Sequence, residues 1–316
     1  MVTPARLLLG TILAFAAALA ASCAPRPQPA NPALWLVEGP RGQRGWLFGT
    51  IHALERPALW RSPAIDAALA GSDRVVVEIA NLADGKAMSA IYARLAHSPG
   101  LPPLSQRIDP ALRPQLRALL KREGLDEAGF ADVETWAAAL TLARAGEGSL
   151  DAAHGIDRAV LAASAGKPVE ELEGARGQLG LFDTLPEREQ GDFLAIVVRD
   201  DGRDGTASGS LAEAWRRGDM APIERETHRG LLADPELRAA LFTARNRAWT
   251  QRIAALLDSG ARPFVAVGAA HMAGAQGLPA LLAARGFTVT RVQEPGRSRA
   301  RRPGWPGSLA FRGFCR

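Results

Sequence analysis

Short apolar stretches typical of strands lie near both ends of the chain, and a long helical stretch separates them. Arg74–Ile79 is a β-branched run near the N-terminus, and Pro263–Val267 is a similar run near the C-terminus. The residues from about 84 to 257 are rich in Ala, Leu and Arg, which favour helices. Because apolar strands become buried by lying side by side, both ends are expected to contribute to one sheet. The sequence predicts an α/β fold, with a central mixed β-sheet built from N- and C-terminal segments, flanking helices and an inserted helical subdomain.

Turn and capping residues predict the individual elements. Ala33–Val37 and Trp46–Phe48 are expected to form a hairpin, because a turn rich in Gly and Pro joins them. Ser62 is the expected N-cap of a helix that has Pro63 at its first position. The other expected elements are a helix at Asp157–Ala165, a short strand at Lys167–Leu172, a Gly- and Asp-rich loop at Asp200–Gly209, a helix at Gly277–Arg285 and a last strand at Phe287–Val292.

The N-terminal residues have the pattern of an export signal. The apolar run Leu7–Ala21 follows a basic residue and is shorter than the roughly 20 residues that a membrane-spanning helix needs. Residues 1–22 are therefore predicted to be a signal peptide, followed by a Pro-rich linker at 23–32. Small residues before Cys23 resemble a bacterial lipobox, and lipidation there would anchor a periplasmic protein to the outer membrane. Ordinary signal-peptide cleavage and an uncleaved anchor are the alternatives.

The charge distribution argues against a nucleic-acid-binding protein, and the cysteine content argues against a fold held by a disulfide framework. The chain carries 38 Lys and Arg residues against 33 Asp and Glu, a net charge of +5. Much of the excess lies in a tail at 295–316 that is expected to be disordered, so no nucleic-acid partner is predicted. Cys315 is the only cysteine besides Cys23, and two cysteines at opposite ends are not a disulfide framework. Residues 33–294 are left as one expected domain, with its helical insertion at about 84–257.

The same short pattern occurs after two predicted strands. Gly49-Thr50-Ile51-His52 follows the strand at Trp46–Phe48, and Gly268-Ala269-Ala270-His271 follows the strand at Pro263–Val267. In an open α/β sheet, ligands bind at the carboxyl ends of the strands, and a glycine there allows a sharp turn close to the ligand. Two such loops on neighbouring strands would bring His52 and His271 together.

Glu78 is the carboxylate that could complete this site. It ends the apolar run Val75–Val77, where a charged residue is costly unless it faces solvent, a metal or a partner. Imidazole suits Zn, Mn, Co, Fe, Ni or Cu, a carboxylate commonly completes such a set, and a bound metal ion can activate water for attack on a carbonyl. The simpler interpretation is that Glu78 is a surface residue at a strand end.

Three other histidines and one acid have simpler interpretations. His97 and His228 lie in polar helical surroundings typical of surface histidines. His154 precedes a predicted helix, and Asp157 is interpreted as the N-terminal charge of that helix.

The chain resembles the TraB/GumN family, which is related to the Tiki metalloproteases and more distantly to erythromycin-esterase-like and ChaN-like proteins. The resemblance spans roughly Ala33 to Val292. The matching residues are Gly49-Thr50-Ile51-His52, Val77-Glu78, Gly155-Ile156-Asp157, Gly166-Lys167-Pro168-Val169, Leu172-Glu173, Gln178, Arg245-Asn246, Val267-Gly268-Ala269-Ala270-His271 and Gly274. Gly174 departs from the family, in which a Thr is common after Leu-Glu.

The resemblance implies a set of site residues and a cofactor. His52, Glu78 and His271 would be the site residues and metal ligands, with Arg245 and Asn246 as neighbours that stabilise an oxyanion. The implied cofactor is a divalent metal ion, Mn or Co with Zn as a third choice, and the Tiki branch implies hydrolysis of peptide bonds.

Three functions are compatible with these residues. The first is an exported metal-dependent hydrolase acting on a peptide or protein. The second is a metal-free, esterase-like hydrolase in which His52 is the general base and Glu78 orients it. The third is a non-catalytic envelope protein that binds haem or a peptide.

Overall fold

The structure is a computed structural model that describes residues 25–82, 84–146, 149–164, 166–200 and 204–293, with the backbone alone for 204–208. The predicted signal peptide, Cys23 and the basic tail lie outside these residues. Within the described ranges, none of the helices is both long and apolar enough to cross a membrane.

A six-stranded mixed sheet forms the centre of the described part of the chain, in the order β6-β5-β7-β3-β2-β8. The strands β6, β5, β7 and β3 are parallel, while β2 is antiparallel to both of its neighbours. The predicted α/β fold and the hairpin are confirmed. The strands are β1 Gln28–Pro29, β2 Leu34–Glu38, β3 Arg44–Thr50, β4 Ala58–Leu59, β5 Arg74–Val77, β6 Val169–Glu171, β7 Pro263–Gly268 and β8 Thr288–Arg291.

The register of the parallel strands aligns their carboxyl ends. Thr50 at the end of β3 pairs with Gly268 at the end of β7, and Val77 at the end of β5 pairs with Ala266. The loops that leave β3, β5 and β7 therefore begin at the same edge of the sheet. This is the edge at which open α/β sheets bind their ligands.

Helices cover the sheet and form the inserted subdomain. Ser62 caps the first helix, because its side chain accepts a hydrogen bond from the backbone N–H of Ile65. The α-helices of the described ranges are α1 Pro63–Gly71, α2 Gly85–Leu95, α3 Arg113–Arg122, α4 Thr135–Ala145, α5 Ile156–Ala163, α6 Gly174–Asp183, α7 Glu187–Asp200, α8 Asp204–Arg217, α9 Met220–Glu226, α10 Pro235–Arg238, α11 Ala244–Asp258 and α12 Leu278–Ala284. A π-helical turn, Ala239–Thr243, joins α10 to α11.

Alternate residues of the central strands enter two different hydrophobic cores. Val75 and Phe264 pack on one face of the sheet, whereas Val76 and Val265 pack on the other. Because successive side chains of a strand point to opposite faces, these uninterrupted apolar runs identify strands that are buried on both sides.

The helical insertion has a hydrophobic core of its own. Leu116 of α3, Trp136 of α4 and Leu194 of α7 are buried together in this core. Trp136 is enclosed by aromatic neighbours, since it stacks on Phe182 with the ring centroids 6.2 Å apart. The residues of this core pack against one another, whereas Ile156, Trp215 and Trp249 of the same predicted insertion pack against the sheet.

The predicted loop at Asp200–Gly209 is wrong over its second half, because α8 begins at Asp204. The end of this helix is anchored by Trp215, which is buried and donates from its indole Nε1 to the carbonyl oxygen of Gly49 at 2.8 Å. Tertiary packing thus overrides the weak helix propensity of a segment rich in Gly and Asp.

The predicted linker at 23–32 contacts the domain from Gln28 onwards. β1 pairs in parallel with β4, and the backbone N–H of Asn31 donates to the carbonyl of Arg216 at 2.6 Å. These contacts tie the described part of the linker to α8.

Candidate functional site

The structure brings all five predicted site residues to the carboxyl edge of the parallel strands. His52 lies two residues after β3, Glu78 lies directly after β5, and His271 lies in a 3₁₀ turn after β7. Arg245 and Asn246 reach this edge from the first turn of α11.

His52 is held by a carboxylate that the sequence did not assign to the site. Its Nδ1 lies 2.8 Å from Oδ2 of Asp157, and Thr50 donates from Oγ1 to Oδ1 of the same carboxylate at 2.5 Å. The His52 side chain is 70% exposed, whereas that of Asp157 is only 12% exposed. The Asp157 carboxylate raises the pKa of His52, against the opposing effect of desolvation. Asp157 lies in the first turn of the helix Ile156–Ala163, as predicted, and it also orients the imidazole of His52.

Glu78 is buried and hydrogen-bonded through both oxygens. Oε1 accepts from the backbone N–H of Gly268 at 2.8 Å, and Oε2 accepts from Nη2 of Arg245 at 2.9 Å. Desolvation opposes ionisation of Glu78, but the charges of His52 and Arg245 and the Gly268 amide together hold its pKa below the ordinary value. Glu78 is therefore an ionised buried carboxylate, and the interpretation as a surface residue is wrong.

A gap beside Gly268 connects the first histidine with this carboxylate. A Cβ built on Gly268 would lie 3.4 Å from Oε1 of Glu78 and 3.5 Å from Nε2 of His52. Both donor atoms therefore border the same small space, which a side chain at position 268 would fill. Both contacts are of ordinary van der Waals length, so a larger residue would fit but would occupy the space between the two atoms.

Arg245 joins Glu78 to a second, partly buried carboxylate, Glu173. Its guanidinium donates to Glu173 from Nε and from Nη2 at 2.9 Å each, while the indole of Trp249 donates to the same carboxylate at 3.0 Å. The guanidinium also lies over the Trp249 ring, 4.6 Å from its centroid. Glu173 follows β6 much as Glu78 follows β5, and this shared position at the ends of adjacent strands is the signal that could have identified it.

His271 differs from His52 in both burial and partner. Asn246 donates from Nδ2 to the carbonyl of Gln276 at 2.7 Å, which orients its amide so that Oδ1 faces Nδ1 of His271 at 2.5 Å. The His271 proton is therefore on Nδ1, and Nε2 carries a lone pair. Burial between aromatic rings lowers the pKa of His271 to about 3, so this imidazole is neutral.

The buried amide of Asn246 has no group left for a substrate. Asn246 is 0% exposed, and both amide atoms are engaged. Its geometry supports a role in holding His271, in place of the oxyanion contact expected from the sequence.

The donor atoms of the three predicted metal ligands, His52, Glu78 and His271, do not all lie within 4.8 Å of one another. Nη1 of Arg245 lies 3.4 Å from Nε2 of His271, while Nη2 contacts Glu78. Among the described residues, the only three-residue group of His, Cys, Asp or Glu with donor atoms all within 4.8 Å of one another lies elsewhere. His52 and Glu78 flank one gap, and His271 is connected to them through the guanidinium.

The chemistry of the donor set nevertheless fits a divalent cation. The carboxylates of Glu78, Glu173 and Asp157 surround one guanidinium and two imidazoles, so with neutral histidines the site has excess negative charge. Each imidazole is also held at Nδ1 by an oxygen acceptor, the arrangement found around metal-ligating histidines.

An open cleft of about 210 Å³ gives access to one half of the site. His52, Glu78 and Asp157 lie in its wall together with Arg158, and its apolar lining is Val77, Ile79, Leu82 and Ala152. His271 is not among the lining residues. The first histidine therefore faces the cleft, and the second lies behind it.

The fold and this edge define an α/β protein with a site of imidazoles, carboxylates and one guanidinium at the ends of its parallel strands. The model of the TraB/PrgY/gumN family matches residues 33–291. The chain therefore belongs to the TraB/PrgY/gumN family. No curated protein and no solved structure matches it significantly.

Proposed function

We propose that the protein is an exported metal-dependent hydrolase that cleaves peptide bonds in a peptide or protein substrate. The observation that carries the proposal is the gap beside Gly268, which Nε2 of His52 and Oε1 of Glu78 both border. This gap adjoins a cleft with an apolar wall, where a peptide chain could lie. The export step rests on the predicted signal peptide, and anchoring to the outer membrane rests on lipidation of Cys23.

His52, Glu78 and His271 would hold the ion, which is proposed to be Mn or Co, with Zn as a third choice. A bound divalent ion would polarise the substrate carbonyl and lower the pKa of a water molecule. Asp157 fixes the His52 ring, so that its Nε2 faces the gap. Asn246 fixes the ring of His271 through Nδ1, so that the lone pair of this ring is on Nε2.

Arg245 acts in this proposal mainly by positioning Glu78. Its guanidinium is 10% exposed and contacts Glu78, Glu173 and the carbonyl of Leu241. Such a fixed cation holds the carboxylate of Glu78 in one orientation and contributes positive potential to the site.

A metal-free hydrolase is the second candidate, and the Thr50–Asp157–His52 chain favours it. In this scheme His52 accepts a proton from water, while Asp157 orients the ring and stabilises the imidazolium. The orienting carboxylate is then Asp157, in place of the Glu78 expected from the sequence.

A peptide-library assay with controlled metal content tests both candidates. Chelation should abolish hydrolysis by the wild-type protein, and Mn²⁺ or Co²⁺ should restore it. His52→Ala and Glu78→Gln should each lower kcat by about a hundredfold or more. The matched control is His97→Ala, which removes a histidine that also lies beside an aspartate, Asp132, at the surface.

Each outcome of this assay decides between the candidates. Activity that survives chelation but is lost in His52→Ala would replace the metal-dependent scheme by the metal-free one. No hydrolysis under any metal condition, or full activity in Glu78→Gln, would overturn the proposed hydrolase.

A further inference from the structure

Three carboxylates outside the candidate site converge where the helical subdomain meets the segment that leads to α11. Glu189 belongs to the first turn of α7, while Asp234 and Glu236 lie at the start of α10. One carboxylate oxygen from each residue lies within 4.8 Å of the other two.

Glu189 is the unusual member of this group. It is nine-tenths buried, and its Oε2 is fully enclosed without a hydrogen-bond partner among the described residues. Nε of Arg188 lies 3.7 Å from Oε1 of Glu189, and that arginine side chain is 79% exposed. A buried carboxylate without a close partner is unfavourable, because the ion has lost its hydration.

Asp234 is fixed in position by the backbone of the next helix. Its Oδ1 accepts from the N–H groups of Glu236 and Leu237 at 3.0 and 2.9 Å. Leu237 is itself buried in the core of the helical subdomain, so the carboxylate is held on a rigid element. The exposed Glu236 opens the group to solvent on its other side.

We propose that Glu189, Asp234 and Glu236 form a binding site for a hard divalent cation of the Ca²⁺ class, separate from the proposed catalytic metal. Carboxylate oxygens alone make up the donor set, and such sets suit Ca²⁺, Mg²⁺ or Mn²⁺, whereas imidazole sets suit later transition metals. A cation there would neutralise the buried carboxylate of Glu189, and water would complete its coordination through the exposed side.

The site would connect two helices of the helical subdomain. Both α7 and α10 contribute to its core, and α10 continues through the π-helical turn into α11. That turn contains Leu241, whose carbonyl accepts from Nη1 of Arg245 at 3.1 Å. Binding would therefore stabilise the junction that precedes the guanidinium of the candidate site, as a structural cation rather than a catalytic one.

Thermal unfolding and calorimetric titration of the chelator-treated full chain with CaCl₂, MgCl₂ and MnCl₂ test the proposal. We expect Ca²⁺ to bind and to raise the unfolding midpoint of the wild-type protein. Glu236→Gln, at an exposed position, should weaken binding by about tenfold or more. The matched control is Asp192→Asn, which removes a carboxylate on the same helix outside the group and should leave the titration unchanged.

Glu189→Gln separates cation binding from a general role in folding. This variant should lose the Ca²⁺-induced shift and be at least as stable as the wild-type protein in chelator, because it removes a buried charge. The Ca²⁺ shift should persist in His52→Ala, which distinguishes this site from the proposed catalytic one. No binding of any of the three ions to the wild-type protein, or an equal shift in Glu189→Gln, would overturn the proposal.

Discussion

The two G-x-x-H loops have the same sequence layout and opposite environments. Both follow strands of the parallel part of the sheet, and both deliver an imidazole to the same edge. His52 is exposed to the cleft and paired with the carboxylate of Asp157, whereas His271 is buried and paired with the amide of Asn246.

The motif sets the position of each ring, while the surroundings of the ring set its charge. The pKa of His52 is raised by a carboxylate, and that of His271 is lowered by burial without a carboxylate at Nδ1. The ring of His52 can take up a proton or a cation at the cleft. The neutral ring of His271 presents the lone pair of its Nε2 behind the cleft.

The largest effect is expected from removing Arg245, the cation that contacts His271, Glu78 and Glu173. Arg245→Met leaves Glu78 and Glu173 without their shared partner, so the free energy of unfolding should fall by about 3–5 kcal/mol. Arg252→Met on the same helix, where the side chain is 47% exposed, should change it by no more than about 0.5 kcal/mol. Denaturant titration of both variants measures this, and equal losses would contradict the assigned role.

A carboxylate partner should raise the pKa of His271 toward that of His52. Asn246→Asp places a carboxylate at Nδ1 of His271, so the pKa of His271 should rise by about 1–3 units. NMR titration of the imidazole in metal-free protein gives the value. A pKa that stays at its low value would mean that burial alone, and not the partner, decides the charge.

Removing the carboxylate partner of His52 should bring the pKa of this histidine closer to that of a free imidazole. Asp157→Asn removes the attraction that raises the pKa of His52, so the pKa should fall from about 9 toward the ordinary value of about 6.5. A raised folded-state pKa stabilises the fold fully below pH of about 6.5, and this contribution disappears as the pH rises through about 9. The stability of the wild-type protein relative to Asp157→Asn should therefore decrease across that range in chelator. Parallel stability curves would contradict the assignment.

The smallest effect is expected from the hydroxyl that fixes Asp157. Thr50→Val removes the hydrogen bond to Oδ1 and should lower the free energy of unfolding by about 1 kcal/mol. The ring of His52 keeps its own contact with Oδ2, so its pKa should change less than in Asp157→Asn. A larger pKa change in Thr50→Val would show that orientation of the carboxylate outweighs its charge.

Much of the fold could be predicted because its strands carry local signals. The β-branched run Val75–Val77 and the Gly-x-x-His loops identify buried strands and the edge where they end. The contacts of Asp157 could not be predicted in the same way, because an acid in the first turn of a helix already has a local explanation. Its partner His52 lies far away in the sequence, and their contact depends on how α5 packs beside β3.

Tertiary contacts also explain the remaining errors. The segment from Asp204 is helical because the end of α8 is anchored by buried Trp215, a contact that its local composition does not reveal. Glu78 was placed at the correct edge by its strand, but its burial depends on Arg245 from a distant helix.

Metal stoichiometry tests most directly whether these two loops serve one ion. The count is made after loading with Mn²⁺ or Co²⁺ in a Glu189→Gln background, so that the proposed carboxylate site does not contribute. We expect one equivalent of metal per chain, lost when His52 and His271 are both replaced by alanine while unfolding stays cooperative. The same metal content in the double variant, or none in the protein with both histidines, would contradict the account.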